Sequence, residues 1–244
     1  MKPDFSHRYY RHMLQSALDD GREFLLFTEF DPVKHERVVI LRHDIDLCLY
    51  SAAALARIEH EMGVRATYFI RLNSTFYNPF SQHEFPLLQE IVSLGHAIGL
   101  HFDPSFYEAQ SIEMIEGIKR EKTALSSMLG TDIEAISQHR PFSLGMQQQY
   151  DQPEFQYFAY HPRFTEDCKY ISESSQRWRE GDLIHHLPQH PRIQLLVHPV
   201  WWREQHMPWQ ECLQLIADNH CKYVSEKADI LVGRYQDYLN KLAS

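Results

Sequence analysis

Apolar residues recur every fourth position through Phe5, Tyr9, Met13 and Ala17 before Gly21, a spacing that predicts a helix over residues 4–20. Beyond it the period changes. The run RVVILR at residues 37–42 is short, β-branched and nearly unbroken, and reads as a strand buried on both faces. Strands and helices then alternate. A helix over 51–62 stops at Gly63, and a strand follows over 66–71 (ATYFIR). The helix over 83–94 carries Phe85, Leu88, Ile91 and Val92 on one side and ends at Gly95. Residues 97–102 read as a strand, 111–129 as a helix ended by Gly130, and 133–138 as the fourth strand. After that the rhythm loosens. Residues 156–160, 168–171 and 193–197 (IQLLV) read as strands, and 208–219 and 225–242 as closing helices. The alternation predicts an α/β fold with a parallel sheet. About seven such strands around one core suggest a closed or nearly closed barrel. An open doubly wound sheet is the alternative, but no GxGxxG or Walker loop gives it a nucleotide site. The chain reads as a single domain over residues 1–244, with 1–36 as a helical and strand extension.

Composition narrows the function classes. The 244 residues are 43% hydrophobic and 23% charged, an ordinary globular balance in a chain long enough to fold without a disulfide or metal staple. Acidic residues number 33 against 24 basic ones, a net charge of −9. Without a basic stripe to offset that excess, nucleic acid is excluded as a partner. No apolar run approaches the ~18 residues of a membrane span, and the amino terminus has no secretory apolar core. The expectation is a soluble, cytoplasmic protein. Cys48, Cys168, Cys212 and Cys221 form no CxxC pair and read as small buried hydrophobes.

Histidine is the unusual component, with 16 residues, and its placement carries the chemistry. At or just after the predicted strands come His43, Asp44 and Asp46, then Asn73, then His101 and Asp103, then His139 and Arg140, then His161 and Arg163, and finally His198. In a βα barrel the carboxyl ends of the strands share one face, and that face carries the catalytic groups. Each residue also has a plainer reading: a lone His as packing, Asp44 and Asp46 as helix caps, Arg140 before Pro141 as a loop anchor. Convergence is what favours chemistry. Carboxylates and imidazoles crowded on one face bind a cation or move protons, and an N/O donor set without thiolate suits Zn²⁺ or another divalent transition metal. His96 reads as a turn or core residue, and His185, His186 and His190 as surface or gating residues. Trp201, Trp202 and Trp209 near His198 read either as packing or as a platform for a sugar ring.

The order of the motifs resembles the polysaccharide deacetylases of the NodB-homology group, carbohydrate esterase family four. LRHDID (residues 41–46) resembles the Asp pair that closes the first strand, and GVRATYFI (63–70) the strand that follows. GHAIGLH (95–101) resembles the second motif, HRPF (139–142) the Arg-Pro motif, RW in SSQRW (174–178) the tryptophan motif, and LLVHP (195–199) the last. The resemblance implies a distorted (β/α) barrel and metal-dependent removal of acetyl groups from N-acetylated sugars. It implies Asp44 as catalytic base, Asp46 and His101 as metal ligands, Arg140 as the arginine that positions the base, and His198 as catalytic acid. Trp178 joins Trp201 and Trp202 as an expected substrate contact.

One departure matters. The family's second motif carries another His four residues on, where this chain has Ser105. His139 is the expected replacement ligand, with Asp103 next because positions 101 and 103 face the same way on a strand. The expected function is a cytoplasmic step in making a surface polysaccharide, O-antigen or capsule, on a sugar nucleotide or lipid-linked sugar. The alternative is a deacetylase-like module that binds a glycan or partner without catalysis.

Overall fold

The computed structural model describes residues 3–140 and 152–242, and its contacts divide the chain into two units, residues 1–206 and 207–244. In the first unit the strands are β1 (Glu23–Phe24), β2 (Val38–Ile45), β3 (Thr67–Ile70), β4 (Ala97–Phe102), β5 (Ile136–Gln138), β6 (Lys169–Ser174), β7 (Arg177–Trp178) and β8 (Arg192–Val197). The helices are α1 (His7–Asp19), α2 (Leu49–Glu61), α3 (Phe85–Ser93), α4 (Pro104–Ala109), α5 (Met114–Leu129), α6 (Pro162–Thr165) and α7 (Leu183–His186). The sheet runs in the order β5-β4-β3-β2-β8-β6-β7, with β1 beside the start of β2. Every pairing is parallel except β6 with β7. It is an α/β fold with a curled half-barrel, a distorted (β/α) barrel whose two ends do not pair among the described residues.

Central β2 explains most of the arrangement. All eight of its residues are buried, including Arg42, His43 and Asp44, because it has neighbours on both edges. Its first part pairs with β8 (Val38↔Arg192 to His43↔Val197) and its second with β3 (Arg42↔Thr67 to Ile45↔Ile70). The ladder bonds carry the strand three residues beyond the apolar run that predicted it. Alternation then sorts its polar residues. His43 faces α2, where its Nε2 lies 2.7 Å from Glu59 Oε1, a carboxylate that also accepts from Tyr10 OH at 2.5 Å and Tyr68 OH at 2.7 Å. Arg42 and Asp44 face the interior of the curl. Helix α1 begins where Ser6 accepts the Tyr9 N–H and buries Tyr9, Tyr10, Met13, Leu14 and Ala17.

Residues 156–160 do not form the expected strand. Phe158 makes a single parallel bridge to Ile136, and a 3₁₀ turn at Pro153–Phe155 uses up the preceding chain. The short helix α4, capped by Asp103, was not legible either. In the second unit α8 (Trp209–Leu242) is one continuous helix of 34 residues rather than the two expected. The stretch between them, HCKYV at 220–224, contains neither Gly nor Pro to end a helix.

Gly99 in β4 is a close-approach position. A Cβ there would stand 2.5 Å from Phe69 Cδ1 and 2.9 Å from the backbone oxygen of Ala135. Phe69 in turn lies under the Arg42 guanidinium, 5.6 Å from its ring centroid. Gly99→Ala should therefore lower stability by about 1–3 kcal/mol, the usual range for overpacking. A denaturant titration showing no change would remove this constraint.

Candidate active site

The register of the parallel strands aligns their carboxyl ends, so residues that directly follow them meet at one rim. A cavity of about 700 Å³ opens there, and its wall includes Asp44, Asp46, His101, His139, Arg140 and His198. The structure thus brings together both carboxylates, all three imidazoles and the arginine that the sequence singled out. They come from four strands and the loops after them.

Three of these side chains converge further. Asp46 Oδ1 lies 3.3 Å from His101 Nε2 and 3.2 Å from His139 Nδ1, and the two ring nitrogens are 3.3 Å apart. A tetrahedral ion with ligand bonds of about 2.0–2.1 Å has ligand–ligand edges of about 3.3–3.4 Å, so the triangle has the size a zinc-like ion requires. The surroundings agree. Asp46 Oδ1 is buried without a hydrogen bond. His101 Nδ1–H donates to the Ser137 carbonyl at 3.2 Å, which leaves the Nε2 lone pair facing the cluster. Burial works to raise the Asp46 pKa, but the imidazoles of His101, His139 and His198 outweigh it and hold the carboxyl well below the usual range. Asp103 is engaged elsewhere. It accepts from Ser105 N at 3.0 Å and Ser105 Oγ at 2.6 Å, and it pairs with Arg71.

Asp44 stands beside the cluster. Its partner is Arg42, whose Nη2 donates to Asp44 Oδ2 at 2.8 Å, Ser137 Oγ at 3.0 Å and Tyr160 OH at 2.9 Å, while Nη1 donates to Gln194 Oε1 at 3.0 Å. The guanidinium is fully buried and lies 4.6 Å from the Tyr160 ring centroid. Burial pushes the Asp44 pKa up, but Arg42, then His101 and His198, bring it below the ordinary carboxylate value. Asp44 Oδ1 is left without a partner. The resemblance implies Arg140 as the arginine that positions this carboxylate. That residue is exposed at the cavity wall, with φ of 53°, a left-handed backbone uncommon outside glycine. The signal that marks Arg42 is the period of two along β2, which puts positions 42 and 44 on one face.

The second unforeseen residue is Glu173 in β6, fully buried. Its Oε1 accepts the His198 backbone N–H at 2.6 Å and lies 3.3 Å from the ring Nδ1. Burial lowers the His198 pKa, but Glu173, with Asp46 and Asp44 beyond, overrides it and raises it to about 9. An acidic residue at an inward-alternating position of KYISES was the available clue, since Ile171 and Glu173 share the buried face.

Trp178, Trp201 and Trp202 are not in the cavity wall. Trp202 is 1% exposed and Trp201 8%. Trp202 packs at 4.9 Å from Phe5 and 5.1 Å from Tyr10, and Trp178 packs against both Phe5 and Trp202. Trp178 and Trp202 thus pack against Phe5, which leads into α1, and Trp202 against Tyr10 within it. Aromatic rings in the cavity wall come from Phe76, Tyr160 and Tyr170. Phe76, 46% exposed, follows β3 in a loop where only Asn73 had been noted.

No protein-family model and no curated protein matches the chain. Solved structures are similar to it. A family 4 carbohydrate esterase from Bacillus anthracis is 16% identical, with 88% of this chain and 86% of that one covered at a TM-score of 0.46. The chitin deacetylase of the fungus Colletotrichum lindemuthianum is 16% identical over 76% and 83%, TM-score 0.45. A family 4 pseudoenzyme from Bacillus anthracis is 12% identical over 78% and 62%, TM-score 0.44. An esterase, a deacetylase and a pseudoenzyme thus stand side by side among them. The solved structures this chain is similar to belong to the deacetylase family that its sequence motifs resemble.

Proposed function

We propose that this cavity hydrolyses the acetamide of an N-acetylated sugar, with a divalent cation, zinc by donor type, held by Asp46, His101 and His139. One observation carries the reading: a three-donor triangle of tetrahedral size lies beside a carboxylate with a bare oxygen and an imidazole backed by a buried carboxylate. A cation on those donors would supply Lewis acidity to an acetamide carbonyl and to water. For His139 to offer Nδ1, its Nε2 must hold the proton. Arg71 Nη1, 3.2 Å from that Nε2, then has no acceptor there, and Arg71 is held by Asp103 through Nη2.

The proton chemistry falls to two side chains. Arg42 keeps Asp44 ionised and fixes Oδ2, so Oδ1 is the atom that takes a proton from the attacking water. Oxygen adds to the acetyl carbon, the C–N bond breaks, and His198 gives its proton to the departing nitrogen. Acetate and a free amine result. Glu173 orients the His198 ring and favours its protonated form. Glu173→Gln removes that charge, so the protonated form disappears at lower pH. The falling limb of the rate profile should move to lower pH, with slower turnover throughout. An unmoved limb would assign the acid to another residue.

Substrate class is read from the cavity wall. Arg140, Arg179, Tyr170 and Phe76 stand in it. A guanidinium suits phosphate oxygens, and arginines in this wall favour a sugar nucleotide or lipid-linked sugar over a free glycan. That fits a cytoplasmic step in O-antigen or capsule synthesis. Acetate release from a nucleotide-linked acetamido sugar should exceed that from the free sugar. Arg140→Gly, which suits the left-handed backbone, should raise KM for the phosphate-bearing substrate alone. Equal turnover of both sugars would remove the phosphate from this reading. The competing reading, a binding module without catalysis, expects no acetate from any of them.

A further inference from the structure

Helix α8, taken by itself, leaves an apolar face uncovered. Beyond Ile216 every residue of it is exposed except the half-buried Tyr223. Yet Val224, Ala228, Leu231, Tyr235, Tyr238 and Leu242 recur at alternating intervals of four and three residues. The same period carried back reaches Cys221 and Ala217. A spacing of 3.5 residues is that of a helix lying along another helix, each seam residue fitting between four of its partner's. The seam is open to water: Val224 is 52% exposed, Leu231 51%, Tyr235 68%, Tyr238 59% and Leu242 66%. A long helix with Gly233 in its middle draws its stability from packing such a face, not from intrinsic propensity.

We infer that α8 pairs with α8 of a second copy of this chain in a parallel coiled coil. Charge selects the direction. The position before each of Cys221, Ala228, Tyr235 and Leu242 is basic: His220, Lys227, Arg234 and Lys241. Antiparallel helices would set this basic column against itself, which is repulsive. Parallel helices set it beside the flanking positions Ser225, Val232 and Leu239, which carry no charge and can cover the long basic stems. The seam is also long enough: from Ala217 to Leu242 it spans more than three heptads, the length over which such a repeat argues for a coiled coil. A two-fold pair also satisfies both copies with one patch. This inference is independent of the reading of the cavity.

The test is the mass of the full chain in solution, by light scattering, together with a thiol crosslink. A two-chain mass is expected. Leu231→Glu and, separately, Tyr238→Glu should reduce it to one chain while circular dichroism and the unfolding transition show a folded protein. Two independent positions guard against a variant that simply fails to fold. Cys221 is exposed, at a seam position. In the parallel pair the two Cys221 side chains face each other, and a short bismaleimide should join them, a product lost in Cys221→Ser. An antiparallel pair centred on the same seam would hold them about 25 Å apart. A one-chain mass at the highest concentration reached, a two-chain mass surviving both Glu variants, or a dimer that Cys221 cannot crosslink each overturns the inference.

Discussion

Asp44→Asn should abolish turnover, with a rate loss of at least about 10²–10⁴-fold, the contribution typical of a positioned general base. Cation affinity should change little. The side chain is almost fully buried, yet only Oδ2 is engaged, by Arg42 at 2.8 Å and Ser137 at 3.3 Å. Asparagine keeps the size and one acceptor oxygen, so Arg42 retains Tyr160, Ser137 and Gln194 as well. What disappears is the charge and the ability to take a proton. Some stability goes with it, since a buried guanidinium loses its counter-ion; removing one partner of a buried pair outright costs about 3–5 kcal/mol. Turnover, cation affinity and denaturant unfolding measured on the same variant separate these effects. If Asp44→Asn releases the cation and Asp46→Asn does not, the two carboxylates have exchanged roles.

The second large effect concerns the donors. His139→Ala and His101→Ala should each weaken cation binding by more than about 100-fold, since losing a hydrogen-bond partner behind a ligand already costs about 10–100-fold. Both rings stand within 3.3 Å of Asp46 Oδ1, and neither has a substitute at that distance among the described residues. His96 is the internal control. It is buried against α2, with Nε2 3.0 Å from the Ala56 carbonyl and Nδ1 accepting the Ala66 N–H at 3.2 Å. His96→Ala should lower stability and leave cation affinity near wild type. Isothermal titration of the three variants with zinc decides it. Wild-type affinity in His139→Ala would remove His139 from the ligand set and bring Asp103 forward.

Much of this was legible in the chain because buried parallel strands read as apolar runs, and because chemistry-bearing residues stand out where such runs stop. His139, expected from counting ligands once Ser105 was seen in place of an imidazole, stands with Asp46 and His101 in a triangle that could hold a cation. Arg42 was missed for the same reason that β2 was found: a charged residue after four apolar neighbours looks like the end of a strand. Only the ladders from β3 and β8 carry the strand onward and bury that charge. Glu173 depends on a contact between β6 and β8, Ser172↔Leu196, that no local pattern encodes. The tryptophans are the reverse case. Their chemistry suits a sugar, but Phe5 and Tyr10 of the amino-terminal segment pack on Trp202 and Phe5 on Trp178, and a window on residues 178–202 does not contain that segment. The continuity of α8 shows the limit of punctuation: residues 220–224 contain polar side chains, but nothing that breaks a helix.

Deacetylation itself is tested most directly by acetate release from a nucleotide-linked acetamido sugar, using chelator-treated protein as zinc is returned. Acetate release should start from background and rise to a plateau near one zinc per chain, with Asp46→Asn remaining at background throughout. Full zinc loading without acetate, or acetate release indifferent to chelator and zinc, would contradict a cation-assisted deacetylase at this cavity.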